Sequence, residues 1–265
     1  MGGLLTAAVR YRHFVSSSVR AEFANRYARS RLGALWMVLN PLAQAAVIAF
    51  ALSGILSARL PGVQHPAGYA FYLMAGILVW SLFQDTVTRC LTLFTDNAQL
   101  LKKLMFPRIC LPLVVCGITG VSSVLLLLAT VFIFFLMGRP PPALALLAVP
   151  LVLLITLMLA IGLGLILGVI NVFVRDLGQV VPIALQFLFW LTPIVYLPDA
   201  LPAAAQSVLA WNPVQILVVA LQDLMVFERH ANWPALAAVA VFAVILLGAA
   251  FGLFRRASPE MVDVL

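Results

Sequence analysis

Charged side chains are scarce in this chain and almost absent from its long apolar stretches. Asp, Glu, Lys and Arg together make up 9% of the 265 residues, whereas 64% of the residues are hydrophobic. A soluble domain of this composition would have too little polar surface to stay dissolved. Lipid offers no hydrogen-bond partner to backbone groups, so long apolar stretches in a bilayer must be helical. The sequence therefore predicts an all-α integral membrane protein.

Patterns typical of catalytic and metal sites are also missing. His13, His65 and His230 are isolated in different segments, and the cysteines do not complete a metal-ligand set. The only lysines, Lys102 and Lys103, are not preceded by a glycine-rich loop that could hold a nucleotide. Basic residues are spread over separate loops, which is atypical of nucleic-acid binding. We expect no catalytic residue, no metal and no cofactor in this chain.

Six apolar stretches are long enough, or nearly so, to cross a bilayer as helices, which takes roughly 20 residues. They cover residues 32–56, 69–94, 109–137, 143–173, 180–196 and 234–254. We interpret residues 1–265 as one transmembrane domain. It comprises a segment 1–31, a six-span region 32–254 and a tail 255–265. The first apolar stretch begins after about 30 mostly polar residues, so no cleaved leader is expected.

The segment 198–232, between the fifth and sixth spans, does not fit a further span. Its apolar run, residues 213–226, is too short to cross comfortably, and prolines interrupt the segment. We predict two short helices that enter the outer leaflet and return.

Basic residues lie mainly on one predicted side of the membrane. With six spans, twelve of them fall on the side of both termini and three on the other side. The positive-inside rule then places both termini in the cytoplasm.

The segment before the first span has apolar residues at spacings of three or four. They are Leu4, Ala8, Tyr11, Val15, Val19, Phe23 and Tyr27. This pattern predicts an amphipathic helix in the cytoplasmic headgroup layer, and the alternative is a small helical cap docked on the other helices. The residues expected to anchor it at the interface are Arg26, Tyr27, Arg29, Arg31 and Trp36.

Two patterns lie inside the spans. Asp85 and Arg89 are four residues apart, so they share a helix face and can pair, either as an anchor near the cytoplasmic interface or as part of a transport pathway. Ala160, Gly164 and Gly168 form a small-xxx-small series, which predicts close packing of two helices.

Several local patterns, in order along the chain, carry a resemblance to a known family. They are residues 26–36 followed by Asn40-Pro41, the loop 97–108, Arg175-Asp176-Leu177, Thr192-Pro193-Ile194 with Tyr196, Asn212-Pro213, and Phe254-Arg255 with Pro259-Glu260. Together they resemble the membrane subunits, or permeases, of ATP-binding-cassette exporters of O-antigen, capsule and teichoic acid. Ala34 departs from the family pattern, which often has proline there.

This resemblance implies a division of labour. A separate cytoplasmic ATPase, in two copies, would bind ATP and Mg, and two copies of the permease would pair in the bacterial inner membrane. The pair would move a lipid-linked polysaccharide from the cytoplasm across this membrane, with membrane lipids as further partners. The residues implied in coupling to the ATPase are Gln99, Leu100, Leu101, Lys102, Lys103, Leu104, Met105 and Phe106, with Arg175 and Asp176. The leucines, Met105 and Phe106 would present an apolar face to a groove of the ATPase.

A sugar polymer is well matched by flat aromatic faces along its path. The candidates are Tyr69, Tyr72, Trp80, Phe83, Phe187, Trp190 and Tyr196. The alternative is that these aromatic side chains only mark the membrane interface, where Trp and Tyr are enriched.

We therefore expect a permease for a lipid-linked polysaccharide, with O-antigen first. The alternatives are a capsule or teichoic acid exporter, and a related permease for drugs or small lipids. A membrane-embedded glycosyltransferase is disfavoured because the nine acidic residues include no D-x-D pair. A secondary carrier is disfavoured because acidic residues are missing near the midplane of the spans.

Overall fold

The computed structural model describes residues 11–27, 33–56, 65, 67–103 and 110–264. Every element in these residues is helical, which confirms the predicted all-α class. The main helices are α1 (Arg12–Tyr27), α2 (Trp36–Leu56), α3 (Gly68–Asp96), α4 (Ala98–Lys103), α5 (Cys110–Leu136), α6 (Ala143–Phe173), α7 (Leu177–Leu191), α8 (Ala203–Leu209), α9 (Pro213–Gln222) and α10 (Trp233–Val264). Short 3₁₀ turns cover Gly33–Leu35 and Pro198–Ala200, and a π-helical turn covers Asp223–Phe227.

Among the described residues, four helical segments are long and apolar enough to cross a membrane. They are Gly68–Asp96, Cys110–Leu136, Ala145–Phe173 and Trp233–Ser258. Six spans were predicted. The described residues show an all-helical chain in which four helices have spanning length. Shorter apolar segments cover Val38–Ala51 within α2 and Leu177–Leu191, which is α7.

The helix α7 begins earlier and ends earlier than the predicted fifth span, 180–196. It has 15 residues, and Thr192 after it is extended, with φ −91° and ψ 134°. Thr192 precedes Pro193, whose ring disfavours helical backbone in the preceding residue. The predicted span continued to Tyr196 because the residues that follow the end of the helix at Thr192 are still mostly apolar.

Helix α3 forms the centre of the bundle. In its most apolar window 72% of the residues are buried, against 22% for α10. It packs against α2, α5, α6, α7 and α9, and its side chains Phe71, Phe83 and Leu91 are almost completely buried. Helix α10 packs against α6 and exposes Val241, Phe242 and Ile245 on its outer face. A bilayer would cover such a face with lipid.

The contact between α3 and α6 is close because α6 has glycines there. A Cβ added at Gly164 would lie 2.6 Å from Cys90 Cβ on α3, and one added at Gly168 would overlap the Cys90 carbonyl oxygen. Ala160, one turn before Gly164, is fully buried. These three positions therefore lie where α6 meets α3 or the core beside it.

The turn between α5 and α6 is a Schellman motif. Gly138 has φ +74°, and the N–H groups of Gly138 and Arg139 donate to the carbonyls of Phe135 and Phe134, both at 3.0 Å. Arg139 then reaches the segment before α10, where its guanidinium donates to the Val226 carbonyl at 2.9 Å and lies 3.4 Å from Glu228 Oε1. We call this part of the molecule the Arg139 end.

The segment 198–232 forms short helices at the Arg139 end. Asn212 caps α9, since its Oδ1 accepts from the Val214 N–H at 3.0 Å, and Pro213 occupies the first helical position. Burial raises the pKa of Asp223, at the start of the π-helical turn, and the positive charge of Arg229 partly opposes this shift.

Helix α1 is docked on α5. Val19 of α1 faces Gly117 of α5 so closely that a Cβ added at Gly117 would lie 2.7 Å from a Val19 methyl group. Val15 and Phe23 line the groove between the same two helices. The apolar face predicted for the segment therefore meets protein along this stretch.

Candidate functional site

A polar stripe runs along the second half of α3. Between Ser81 and Asp96, every α3 residue that is not buried is polar or charged. These residues, which we call the α3 stripe, are Ser81, Gln84, Asp85, Thr88, Arg89, Thr92, Thr95 and Asp96. Their spacings of three and four place them on one helix face. A polar face on the central helix of an apolar bundle indicates a surface that meets water or a polar ligand.

Two of the three charged residues of the α3 stripe form the predicted Asp85–Arg89 pair, which the structure confirms. Arg89 Nε donates to both carboxylate oxygens of Asp85, at 2.9 and 3.0 Å. The structure adds a third member, because Arg89 Nη1 lies 3.7 Å from Glu22 Oε1 on α1. The three side chains carry a formal charge of −1, and they connect the docked α1 to the central helix.

A cleft of about 480 Å³ opens beside this part of the stripe. Its walls are α2, α3 and α5. Helix α2 contributes Trp36, Asn40 and Gln44, and α5 contributes Ser122 and Ser123. Sequence reasoning did not find this cleft. The signal it could have used was the three- and four-residue spacing of polar residues from Ser81 to Thr95.

The residues predicted to couple to an ATPase come from two segments, and the structure brings both to the end of the bundle opposite the Arg139 end. There, a pocket of about 360 Å³ is lined by Ala98 at the start of α4 and by Arg175 after α6, together with Thr95, Asn171 and Val172. Asn171 Nδ2 donates to the Leu91 carbonyl at 3.0 Å and so ties α6 to α3. We call this part of the molecule the Arg175 end.

Leu101 was expected to present an apolar face to a partner, but in the structure it packs into the bundle. It is 7% exposed and packs in a cluster that includes Phe94, Leu111 and Phe254. Because α4 is held to the bundle by this side chain, the exposed side of α4 carries Gln99 and Lys102 instead. The side chains of Leu100 and Lys103, and the whole of Leu104, Met105 and Phe106, lie outside the described residues. Arg175 and Asp176 are both exposed.

The chain break after α7 is held by side chains of α3 and α9. Tyr69 donates to the Val195 carbonyl at 2.5 Å, and the Tyr72 hydroxyl lies 3.0 and 2.8 Å from the carbonyls of Pro193 and Tyr196. Gln222 Nε2 donates to the Pro193 carbonyl at 3.2 Å. Non-helical backbone inside a membrane protein requires such partners. The hydroxyls of Tyr69 and Tyr72 therefore brace the backbone of this turn.

The aromatic candidates for a sugar path divide into two groups. Tyr72, Trp80 and Phe83 are at most 3% exposed and lie in the core of the chain, and Trp80 Nε1 donates to Gln84 Oε1 at 2.7 Å. Phe187 and Trp190 on α7 are 68% and 57% exposed and lie on the surface. Tyr69 and Tyr196 are partly exposed beside the turn that Tyr69 braces.

The predicted interfacial anchors are only partly described. Trp36 is 43% exposed and lines the cleft. Arg26 and Tyr27 end α1, and their side chains lie outside the described part of the chain, as do Arg29 and Arg31 altogether.

Comparison with known proteins places this arrangement in a family. The ABC-2 type transporter family matches residues 14–226. The chain is 29% identical over 262 residues to the O-antigen export system permease protein RfbA of Myxococcus xanthus. This match covers 98% of each of the two chains. It is 26% identical over 240 residues to the protein of the same name from Klebsiella pneumoniae, which covers 91% of this chain and 90% of that one. The polysialic acid transport protein KpsM of Escherichia coli is 21% identical over 241 residues, with 91% and 92% coverage.

These matches confirm the predicted class, a membrane subunit of an ATP-binding-cassette transporter. The family match spans most of the 265 residues and includes most of α1, the α3 stripe, the cleft and the braced turn after α7. The chain belongs to the ABC-2 type transporter family.

Proposed function

We propose that this chain is the permease of an ATP-driven exporter that moves a lipid-linked polysaccharide, with O-antigen as the first candidate, out of the cytoplasm. The observation that carries this proposal is the similarity to O-antigen export permeases over 91–98% of the chain. The polysialic acid transport relative is less similar, at 21% identity, which favours O-antigen over a capsular polymer.

The proposed exporter contains two copies of this chain and two copies of a separate ATPase that binds ATP and Mg. Each copy has six spans in the bacterial inner membrane, with both termini in the cytoplasm. The distribution of basic residues along the sequence supports this orientation, because six spans put twelve of them on the side of both termini and three on the other side. Helices α2 and α7 supply the two spans beyond the four of full length, and α8 and α9 enter the outer leaflet and return.

Coupling to the ATPase takes place at the Arg175 end. The exposed side of α4, with Gln99 and Lys102, lies beside the exposed turn of Arg175 and Asp176, so one partner surface can contact both segments. The resemblance also assigns Leu104, Met105 and Phe106, outside the described residues, to coupling. Movement of α4 would reach α3 directly, because Leu101 packs in the same cluster as Phe94 of α3.

The glycan path combines the polar α3 stripe with exposed aromatic residues. Hydroxyl-rich sugars hydrogen bond to the stripe, and their C–H faces pack on rings such as those of Phe187 and Trp190. The second copy of the chain closes the path on the side that a single copy leaves open.

Deletion of the chain in its own bacterium, followed by complementation, tests this function. We expect the surface glycan to disappear and the lipid-linked glycan to accumulate inside the cell, and the wild-type chain to restore export. Surface glycan at wild-type level in the deletion strain would refute the proposal. Accumulation of a different lipid or drug would instead identify the small-molecule exporter.

Coupling is tested with a matched pair of exposed basic residues. Lys102→Glu on α4 should reduce both export and the amount of ATPase that co-purifies with the chain, because it reverses a charge at the proposed contact. Arg256→Glu on α10 reverses an exposed charge outside α4 and should leave both unchanged. Equal effects of the two substitutions would argue against a specific contact at α4.

A further inference from the structure

The groove between α1 and α5 combines an apolar surface with two exposed arginines. It has a volume of about 560 Å³. Helix α5 contributes only Leu113, Gly117 and Val121 to its lining. Because Gly117 has no side chain, α1 approaches α5 closely here, and a Cβ added at Gly117 would lie 2.7 Å from a methyl group of Val19.

Two rows of α1 residues, each with a spacing of four, line the other side of the groove. The partly buried row is apolar and consists of Val15, Val19 and Phe23. The exposed row is polar and consists of Arg12, Ser16 and Arg20. A spacing of four keeps the members of each row on one side of the helix. The groove therefore offers one surface for a hydrocarbon chain and another for a negative charge.

The positive charge of the exposed row is not neutralised by the described part of the protein. The guanidinium groups of Arg12 and Arg20 form no hydrogen bond or ion pair with any described residue. Glu22 is the only acidic residue of α1, and its Oε1 lies 3.7 Å from Arg89 Nη1 on α3. Helix α5 carries no charged residue. Two guanidinium groups without a carboxylate are suited to a phosphate, which accepts paired hydrogen bonds from arginine.

The apolar surface of the groove continues onto the outer face of α5. Val121, Val124 and Leu128 are 44%, 53% and 60% exposed. Helix α5 has spanning length, so a bilayer covers this face with lipid rather than with a soluble partner. From Leu113 to Val121 the groove follows α5 for about 12 Å, which is close to the roughly 15 Å of hydrocarbon in one leaflet. An acyl chain is therefore the partner that matches this surface.

We propose that the groove binds an anionic phospholipid of the surrounding bilayer, with an acyl chain between α1 and α5 and the phosphate at Arg12 and Arg20. A zwitterionic headgroup would bring its own cation close to both arginines, so a net negative headgroup is preferred. The bound lipid holds α1 on α5 and so supports the contact of Glu22 with Arg89. The assignment of this lipid to the cytoplasmic leaflet rests on the proposed function, whereas binding itself does not.

Two neighbouring serines of α1 provide a matched pair of cysteine reporters, Ser16→Cys and Ser17→Cys. Both serines are exposed, and both donate a hydrogen bond within α1, to the carbonyls of His13 at 3.1 Å and Phe14 at 2.9 Å. Of the two, Ser16 lines the groove. A lipid bound in the groove should therefore shield the first reporter and leave the second accessible.

The test uses the full-length chain with Cys116→Ala in phosphatidylcholine nanodiscs, since the other two cysteines are buried. The rate of labelling by a small uncharged thiol reagent is measured without addition and with phosphatidylglycerol of the same acyl chains. Two further samples contain polyprenyl phosphate, as a lipid carrier of glycans, or soluble glycerol phosphate, which has the charge without the chain.

We expect phosphatidylglycerol to slow labelling of Ser16→Cys about threefold, as when about two thirds of the sites are occupied, and to leave Ser17→Cys unchanged. Equal slowing of both reporters, or no slowing of the first, would overturn the proposal. Protection by polyprenyl phosphate that equals or exceeds that by phosphatidylglycerol would identify a glycan carrier as the occupant instead. Equal protection by glycerol phosphate would show that no acyl chain is needed, which also refutes the proposal.

The need for charge is tested with Arg12→Gln and Arg20→Gln together, which remove both cations but no hydrogen bond to a described residue. This double substitution should remove most of the protection of Ser16→Cys. Arg255→Gln with Arg256→Gln changes two exposed arginines of α10 and should keep it. Equal protection in the two double variants would contradict the proposal. If the first variant fails to fold, the reporters with both arginines intact still decide the outcome.

These outcomes are separate from those of the export experiment, because labelling requires no export. Loss of surface glycan in the deletion strain together with unprotected Ser16→Cys would leave the proposed function standing and remove the lipid site. Protection of Ser16→Cys in a chain whose deletion leaves export intact would keep the lipid site and remove the proposed function.

Discussion

The close contact of α3 and α6 at Gly168 gives the sharpest stability prediction. Gly168→Ala places a methyl group onto the Cys90 carbonyl oxygen of α3, which is backbone and cannot rotate away. Helices α3 and α6 must then separate locally, and overpacking of this kind costs roughly 1–3 kcal/mol. Alanine is otherwise favoured over glycine inside a helix by about 0.5–1 kcal/mol, so the steric term must exceed that gain. We expect a net loss of about 1–2 kcal/mol.

The matched control is Gly248→Ala on α10, where no described atom lies within 4 Å of an added Cβ. It carries the same change of residue without the clash, so it should leave stability unchanged or raise it by up to about 1 kcal/mol. The assay is the thermal midpoint of the detergent-solubilised chain, followed by fluorescence-detected size-exclusion chromatography. A midpoint for Gly168→Ala equal to that of Gly248→Ala would show that α3 and α6 are not in this close contact.

Three further predictions concern the Arg139 end and α7. Tyr72→Phe removes the donor that braces the carbonyls after α7, and it should lower the thermal midpoint by an amount equivalent to about 1–3 kcal/mol. Burial raises the pKa of Asp223 above its unfolded value of about 3.9, so the stability linked to its protonation is full below that value and is lost as pH rises through the folded pKa. Asp223→Asn should therefore raise the midpoint at pH 7 and leave it nearly unchanged near pH 3.5, and a loss at pH 7 would contradict this. Phe187→Ala should keep the midpoint but lower export, because the ring is exposed, whereas Phe189→Ala empties a buried site and should cost about 3–5 kcal/mol.

The helical class and the positions of most helices follow from the sequence because apolar length is a direct signal. The predicted spans 69–94 and 143–173 agree with α3 and α6 to within two residues. The Asp85–Arg89 pair was also predictable, since a separation of four residues fixes the geometry on one helix. Its link to Glu22 was not, because that contact depends on how α1 docks on α5.

The sites were harder to predict because they depend on which side of a helix faces inward. Leu101 belongs to the apolar residues of the loop 97–108, and the sequence alone does not say whether their apolar face meets the bundle or a partner. Likewise, the aromatic residues of α3 read as a possible sugar path, but α3 is the central helix and most of them are core. The polar residues of the same helix mark its open face, and their regular spacing was visible in the sequence.

The proposal of six spans requires that the short helix α7 and the chain after it cross the membrane together. Its 15 residues extend only about 22 Å, short of a hydrocarbon core of roughly 30 Å. The chain continues past Leu191 as non-helical backbone, whose carbonyls at Pro193, Val195 and Tyr196 accept from Tyr69, Tyr72 and Gln222. Because these donors satisfy the freed backbone groups, the continuation can lie at membrane depth without further helix. The proposed fifth span therefore consists of α7 and this braced continuation, and Tyr72→Phe tests the hydrogen bonds on which that proposal depends.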